Sequence, residues 1–214
     1  MSTTVPARPI KLYRHALSGH AHRAEVFINL LGLPYENIDV DLRRKEQKRP
    51  EFLALNLFGQ VPVIDDDGTV VADSNAILTY LALRYAPEHW LPRDPAAAAQ
   101  VQRWLSVAAG ELAYGAARAR VVQLFGLPDD PGPAIAAAQA LFSVIERTLA
   151  DNRAFITGSQ PTIADLALYS YTAHAPEGNV SLEPFPVLRG WLRRIEALPR
   201  FVPMAPSRCG LLAA

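Results

Sequence analysis

Residues 56–81 constrain this chain more than any other stretch. Val61-Pro62-Val63-Ile64 has the character of a strand, Asp65-Asp66-Asp67-Gly68 that of a tight hairpin turn, and Thr69-Val70-Val71-Ala72 that of the partner strand. Asp73-Ser74 then stands where a helix N-cap belongs, ahead of Ile77, Leu78, Leu81 and Ala82 at three- and four-residue spacing. Pro62 has no backbone N–H, so it fits at the start of its strand, where Val61 can turn its backbone to another extended chain. The helix start at Ser74 offers N–H groups and a positive dipole end to an anion. One hairpin therefore sets a backbone edge for a peptide beside a nest for a carboxylate.

The flanking sequence supplies the rest of a sheet. Ile10-Lys11-Leu12-Tyr13-Arg14 alternates as a first strand, and His15-Ala16-Leu17-Ser18-Gly19-His20 breaks the pattern with turn residues. Ala24, Phe27, Ile28 and Leu31 then recur at helical spacing, with Gly32 as the stop. Residues 35–42 alternate again as a second strand, and a short helix falls around Pro50-Glu51-Phe52-Leu53-Ala54. The order β-α-β-α-β-β-α, with a parallel opening unit and an antiparallel hairpin, is the thioredoxin-like one. Residues 86–95 are Pro-rich and aperiodic, a linker. Beyond them the chain turns to Ala- and Leu-rich helical runs over 97–124, 134–150, 166–171 and 187–198. Thr162-Ile163-Ala164-Asp165 is a capping box for the third of these. The expected architecture is an α/β thioredoxin-like domain over residues 1–85, a linker over 86–95, and an all-α domain over 96–214.

Composition excludes several function classes. The formal net charge is zero, so no bulk electrostatic footprint for nucleic acid exists, and the cluster Arg43-Arg44-Lys45 with Lys48-Arg49 reads as a solvated loop. No apolar run approaches a membrane span, and the N-terminal stretch has no hydrophobic signal core. A single cysteine, Cys209, fits a reducing cytoplasm and leaves a thioredoxin-type redox pair without its residues. His15, His20 and His22 invite a metal reading, but ligands must converge, and residues on a strand-to-helix turn diverge, so no metal is expected. Gly-x-Ser-x-Gly is missing, which removes the hydrolase elbow.

The run Gly59-Gln60-Val61-Pro62-Val63 followed by Asp73-Ser74-Asn75-Ala76-Ile77 resembles the glutathione-binding half of cytosolic glutathione S-transferases, and the resemblance extends over both domains. It is nearest in pattern to bacterial serine-type, theta- and zeta-like members. It implies that Pro62 is cis, that Val61 pairs its backbone with the cysteinyl unit of glutathione, and that Asp73 and Ser74 hold the γ-glutamyl end. Gln60 matches a polar position near the glycyl end, and Arg43, Arg44 or Lys45 is expected at the glycine carboxylate. The capping box belongs, by the same resemblance, to the folding of the helical domain.

The implied reaction is attack of a glutathione thiolate on a small hydrophobic electrophile, a detoxification chemistry. The resemblance implies glutathione as co-substrate and a homodimer, with neither nucleic acid nor membrane as partner. Glutathione-dependent reduction or isomerisation on the same site, or a non-catalytic interaction module, are the alternatives. A free thiol has a pKa of about 8.5, so a hydroxyl donor and a helix N-terminus are the tools that ionise it near neutrality. Ser18 has both, between the first strand and first helix, unless it is only an N-cap. His20 stands where cysteine-type members place their cysteine and is the second candidate for the thiol. Arg23 matches an arginine common in serine-type members, and Tyr13 reads as packing. Tyr114 and Arg118, one helical turn apart, are the expected wall of the electrophile pocket.

Overall fold

Ile10 and Leu12 alternate with Lys11 and are both fully buried, which sets β1 (Ile10–Arg14) as the strand through the middle of the N-terminal half. The structure, a computed structural model, describes residues 5–213; residues 1–4, the start of the segment read as lacking a signal core, and residue 214 lie outside the described residues. β2 (Tyr35–Asp39) pairs parallel with β1, with Ile10 opposite Tyr35. β3 (Val63–Asp66) pairs antiparallel with β1, Leu12 opposite Ile64, and β4 (Thr69–Ala72) antiparallel with β3. The sheet order is β2-β1-β3-β4. The crossover between the parallel strands is α1 (Gly19–Leu30), and α2 (Pro50–Leu53) and α3 (Ser74–Tyr85) complete the expected β-α-β-α-β-β-α order. Asp65 and Asp66 belong to β3 rather than to the turn, which is the pair Asp67-Gly68 with φ of 50° and 91°. Both residues at positive φ make the hairpin turn that matches strand twist, and this is why glycine stands at 68.

The helical half holds α4 (Pro95–Ala109), α5 (Arg118–Phe125), α6 (Gly132–Leu149), α7 (Ile163–Ala173) and α8 (Pro186–Glu196). The single helix expected over 97–124 is two. Gly110 leaves helical geometry at φ −100° and ψ −96°, and a π-helical turn at Ala113–Ala117 follows before α5. Gly115 sits in that turn because α6 crosses there: a Cβ at 115 would lie 3.0 Å from the Ala138 nitrogen. At α7 the capping box is complete, with Asp165 fully buried. Its Oδ2 accepts from the Thr162 N–H at 2.9 Å, and its Oδ1 accepts from Ile156 N–H and Trp191 Nε1, both at 2.8 Å.

One apolar core runs through both halves, from Ile10, Leu12 and Phe27 through Leu78 and Leu81 to Trp104, Leu168 and Trp191. A smaller cluster of Val40, Phe52 and Val63 covers the opposite face of the sheet under α2, with Tyr13 packed edge-on to Phe52. Among the described residues no helix is long and apolar enough to cross a membrane.

Candidate functional site

The local chemistry of residues 56–61 begins with Asn56, a nearly buried side chain whose Nδ2 donates to the Gln60 carbonyl at 2.8 Å and whose Oδ1 accepts from the Phe58 N–H at 3.1 Å. Gly59, at φ 57°, packs against the Gln47 carbonyl so closely that a Cβ would fall 2.5 Å from it. The loop delivers Gln60 and Val61 to the cis Val61–Pro62 bond, and the β3 ladder begins only at Val63. Val61 thus lies beside the sheet with its backbone outside the β3–β4 pairing.

Asp73, at φ 76°, is the N-cap of α3, and its Oδ1 accepts from the N–H groups of Asn75 (2.8 Å) and Ala76 (2.9 Å). Two of the N–H groups expected to greet an anion at this helix start are therefore engaged by Asp73. Ser74 follows, buried, its Oγ 3.4 Å from His20 Nδ1 and accepting from Arg23 Nη1 at 3.3 Å.

Ser18 is the N-cap of α1, its Oγ accepting from the Ala21 N–H at 3.2 Å. The residue before it is held from the helical half, where Arg120 Nη1 donates to the Leu17 carbonyl at 2.7 Å. From α7, the Tyr171 ring lies against Gly19 and stands edge-on to His20 at 4.9 Å between ring centres. Burial, then the nearby Arg23 charge, brings the His20 pKa down to about 3, so its imidazole is neutral at physiological pH.

One cleft of about 710 Å³ joins these elements. Ser18, His20, Gln60, Val61, Pro62, Asp73 and Ser74 all line it, so the seven residues expected from the N-terminal half meet in one place. Its volume suits a small-molecule ligand. Tyr114 and Arg118 are not among its lining residues. Tyr114 is 76% exposed on the π-helical turn, and Arg118 pairs with Asp129 at 2.6 Å. Nor do Arg43, Arg44 or Lys45 line the cleft: Lys45 adopts a left-handed backbone and Arg44 faces Asp41 at 3.8 Å. The cation at the cleft is Lys48, whose Nζ donates to the Phe58 carbonyl at 2.9 Å, with Gln47 beside it. In the sequence Lys48 is one member of the basic cluster, and only the loop fold distinguishes it from its neighbours.

The three histidines separate as their positions on a strand-to-helix turn require. His15 is half-exposed and its Nδ1 accepts from the Leu17 N–H at 3.3 Å. His22 is buried between Ser170 Oγ and the Val202 carbonyl, each 2.9 Å away. A carbonyl can only accept, so Nε2 carries the hydrogen and the neutral ring accepts from Ser170 through Nδ1. Burial lowers the His22 pKa to about 4.

Comparison with known proteins adds to this geometry. The model for the glutathione S-transferase N-terminal domain matches residues 8–83, and that for the C-terminal domain matches residues 133–199. The chain is 34% identical to glutathione S-transferase 3 of Zea mays over 206 residues, 90% of this chain and 91% of the other. A glutathione S-transferase of Pseudomonas fluorescens has a solved structure that superimposes with a TM-score of 0.85 at 34% identity, covering 92% of this chain and 99% of that one. A glutathione transferase homologue of Drosophila mojavensis, solved with bound glutathione, superimposes with a TM-score of 0.81 at 28% identity, covering 89% of each chain.

Proposed function

The chain belongs to the glutathione S-transferase family and is a glutathione transferase, and from that premise we propose that Ser18 is the donor that holds the glutathione sulfur as a thiolate. The observation that carries this reading is the gathering of Ser18, Gln60, Val61, Asp73 and Ser74 in one cleft. Ser18 is favoured over His20 by charge. A neutral imidazole of pKa about 3 is a poor base for a thiol whose own pKa is about 8.5. The Ser18 hydroxyl, at the positive end of α1, can donate to the sulfur while its oxygen still accepts from Ala21.

In this reading the Val61 backbone takes the cysteinyl unit, and Asp73 with Ser74 takes the γ-glutamyl end. Gln60 and Lys48 face the glycyl carboxylate, Lys48 replacing the expected Arg43, Arg44 or Lys45. The bound thiolate then attacks a small hydrophobic electrophile. Of the pair assigned to the electrophile side, Tyr114 exposes its ring, whereas Arg118 is held by Asp129. Residues 1–85 form the glutathione-binding unit, 86–95 the linker and 96–214 the helical unit. Leu57 and Phe58, exposed beside the cleft, are apolar surface suited to cover by a second copy in a homodimer.

The test is titration of the purified protein with glutathione by calorimetry, with thiolate absorbance followed across pH. Binding with a depressed thiol pKa is the expected result. Binding with an ordinary thiol pKa would refute the activating role of Ser18, and no binding at millimolar glutathione would remove the enzyme reading.

A further inference from the structure

Two guanidinium groups are buried near the first turn of α1, and the fold treats their charges differently. Arg23 and Arg120 are each 1% exposed. Arg120 donates through Nε to the fully buried Glu177 carboxylate at 2.7 Å and through Nη1 to the Leu17 carbonyl, with only Nη2 unpartnered. Its charge is met inside the protein. Among the described residues, no carboxylate lies within ion-pair distance of Arg23. Its Nη1 donates to Asn75 Oδ1 at 2.9 Å and to Ser74 Oγ at 3.3 Å, while Nε and Nη2 are buried without a partner. The ionisable groups that bear on it are the Tyr171 phenol from α7, Asp73 at the head of α3, and His20 on its own helix.

An interior cation without a counter-charge is costly, and an anion entering its surroundings offsets that cost. Burial lowers the Arg23 pKa to about 10, which leaves it protonated at neutral pH. Arg23 does not itself line the cleft; Ser74 does, and Arg23 holds Ser74 from behind. Because Ser74 Oγ accepts from Arg23, its own hydrogen is directed elsewhere, to His20 Nδ1 at 3.4 Å or to an acceptor in the cleft. A carboxylate is a far stronger acceptor than a neutral ring nitrogen at that distance.

Resting on the reading of the cleft as a glutathione site, we propose that Arg23 is a positioning residue for the anionic end of the ligand. It is left unpaired inside the fold so that, through Ser74, its charge is answered by a carboxylate of the bound peptide. The role is separate from thiolate formation at Ser18, since the contact runs through the serine of α3.

A double-mutant cycle on the full chain tests this, with Arg23→Met, Ser74→Ala and the pair titrated by calorimetry with glutathione and with S-methylglutathione. Arg23→Met should weaken both probes about tenfold and alike, because the group served is a carboxylate and not the thiol. In the Ser74→Ala background the same substitution should matter less than about twofold. The melting temperature of ligand-free protein should hold or rise in Arg23→Met, while the rise produced by glutathione shrinks. Arg23→Lys, which keeps the charge, should recover part of the affinity. A mere structural prop would behave in reverse, with a lowered ligand-free melting temperature, an unchanged ligand-induced rise and additive losses; that result overturns the proposal. Should Arg23→Met not fold, Arg23→Gln against Arg23→Lys gives the same comparison. Wild-type protein that binds neither probe refutes the glutathione reading and this inference with it. Tight wild-type binding that survives in the Arg23 variants overturns the inference alone.

Discussion

Removing the Ser18 hydroxyl should produce two separable losses, because the structure gives that oxygen two jobs. It caps α1 by accepting from the Ala21 N–H, and it lines the cleft where the sulfur is proposed to lie. A hydrogen bond to a charged acceptor is worth about 1.5–3 kcal/mol. One pKa unit corresponds to about 1.4 kcal/mol, so Ser18→Ala should raise the pKa of bound glutathione by about one to two units. Turnover then falls about ten- to hundredfold below the new pKa, where the thiolate fraction drops in proportion. The deficit should close as pH rises past the new pKa, and KM for glutathione should change little, since the interaction is made chiefly with the ionised form. The cap is a different matter. Ser→Ala at an N-cap costs about 1 kcal/mol, whereas Ser→Gly costs only a few tenths. Ser18→Gly should therefore share the catalytic deficit of Ser18→Ala while melting closer to wild type. Stopped-flow conjugation across pH, beside thermal melts of both variants, reads the two effects apart. If Ser18→Ala keeps an acidic thiol and full turnover while His20→Ala loses both, the assignment of the donor is wrong.

Other expectations concern the supports of the site. Asp165→Ala should cost about 3–5 kcal/mol in denaturant unfolding, because it leaves the buried donors of Ile156, Thr162 and Trp191 without their acceptor. Glu177→Gln should lower the melting temperature by stranding the Arg120 charge, a penalty of about 3–5 kcal/mol for breaking a buried pair; the double variant Glu177→Gln with Arg120→Met should recover part of it. His22 has a folded pKa near 4 against an ordinary 6.5, so protonation favours the unfolded chain. Its contribution is intact above pH 6.5 and is lost as pH falls from there toward 4, by up to about 3 kcal/mol. A His22→Gln variant should show a shallower fall in urea-unfolding stability across that window.

The residues legible in sequence were those whose role is fixed by local backbone chemistry. Pro62 must stand at a strand start, Asp73 and Ser18 must cap helices, and these needs can be read without knowing what packs against them. Tyr13, expected from the resemblance to serine-type members to pack, stands edge-on to Phe52 on the face under α2. What escaped depends on approach from elsewhere. Lys48 reaches the cleft because Gly59 lets the loop close on the Gln47 carbonyl, a contact invisible in the basic cluster itself. The helix expected over 97–124 breaks at Gly110, and the π-helical turn after it takes glycine at 115 because α6, twenty-odd residues later in the chain, crosses there. Regular helical spacing would put Tyr114 and Arg118 on one face, and the π-helical turn between α4 and α5 spoils that register. Arg120 and Glu177, 57 residues apart, form a buried ion pair that has no local signature in the sequence.

These long-range contacts decide where the proposed chemistry is held. Ser18 belongs to the thioredoxin-like half, yet its surroundings are fixed from the helical half on three sides: Arg120 on the Leu17 carbonyl, Tyr171 against Gly19, and Ser170 on His22 one turn into α1. The Arg120 arm is itself held by Glu177, whose other oxygen accepts from His174 and from the Ser207 N–H of the C-terminal tail. The tail also carries the Val202 carbonyl that takes the second nitrogen of His22. A hydroxyl misplaced by about an ångström loses most of its advantage as a donor to a developing anion. If Ser18 is the thiolate donor proposed above, the helical half supports it mechanically, independent of any electrophile it contacts. It follows that Arg120→Met combined with Glu177→Gln, even where folding is largely restored, should still raise the bound thiol pKa, because the Leu17 carbonyl has lost its anchor. An unchanged thiol pKa in that double variant would show that the strand-to-helix turn holds Ser18 by itself.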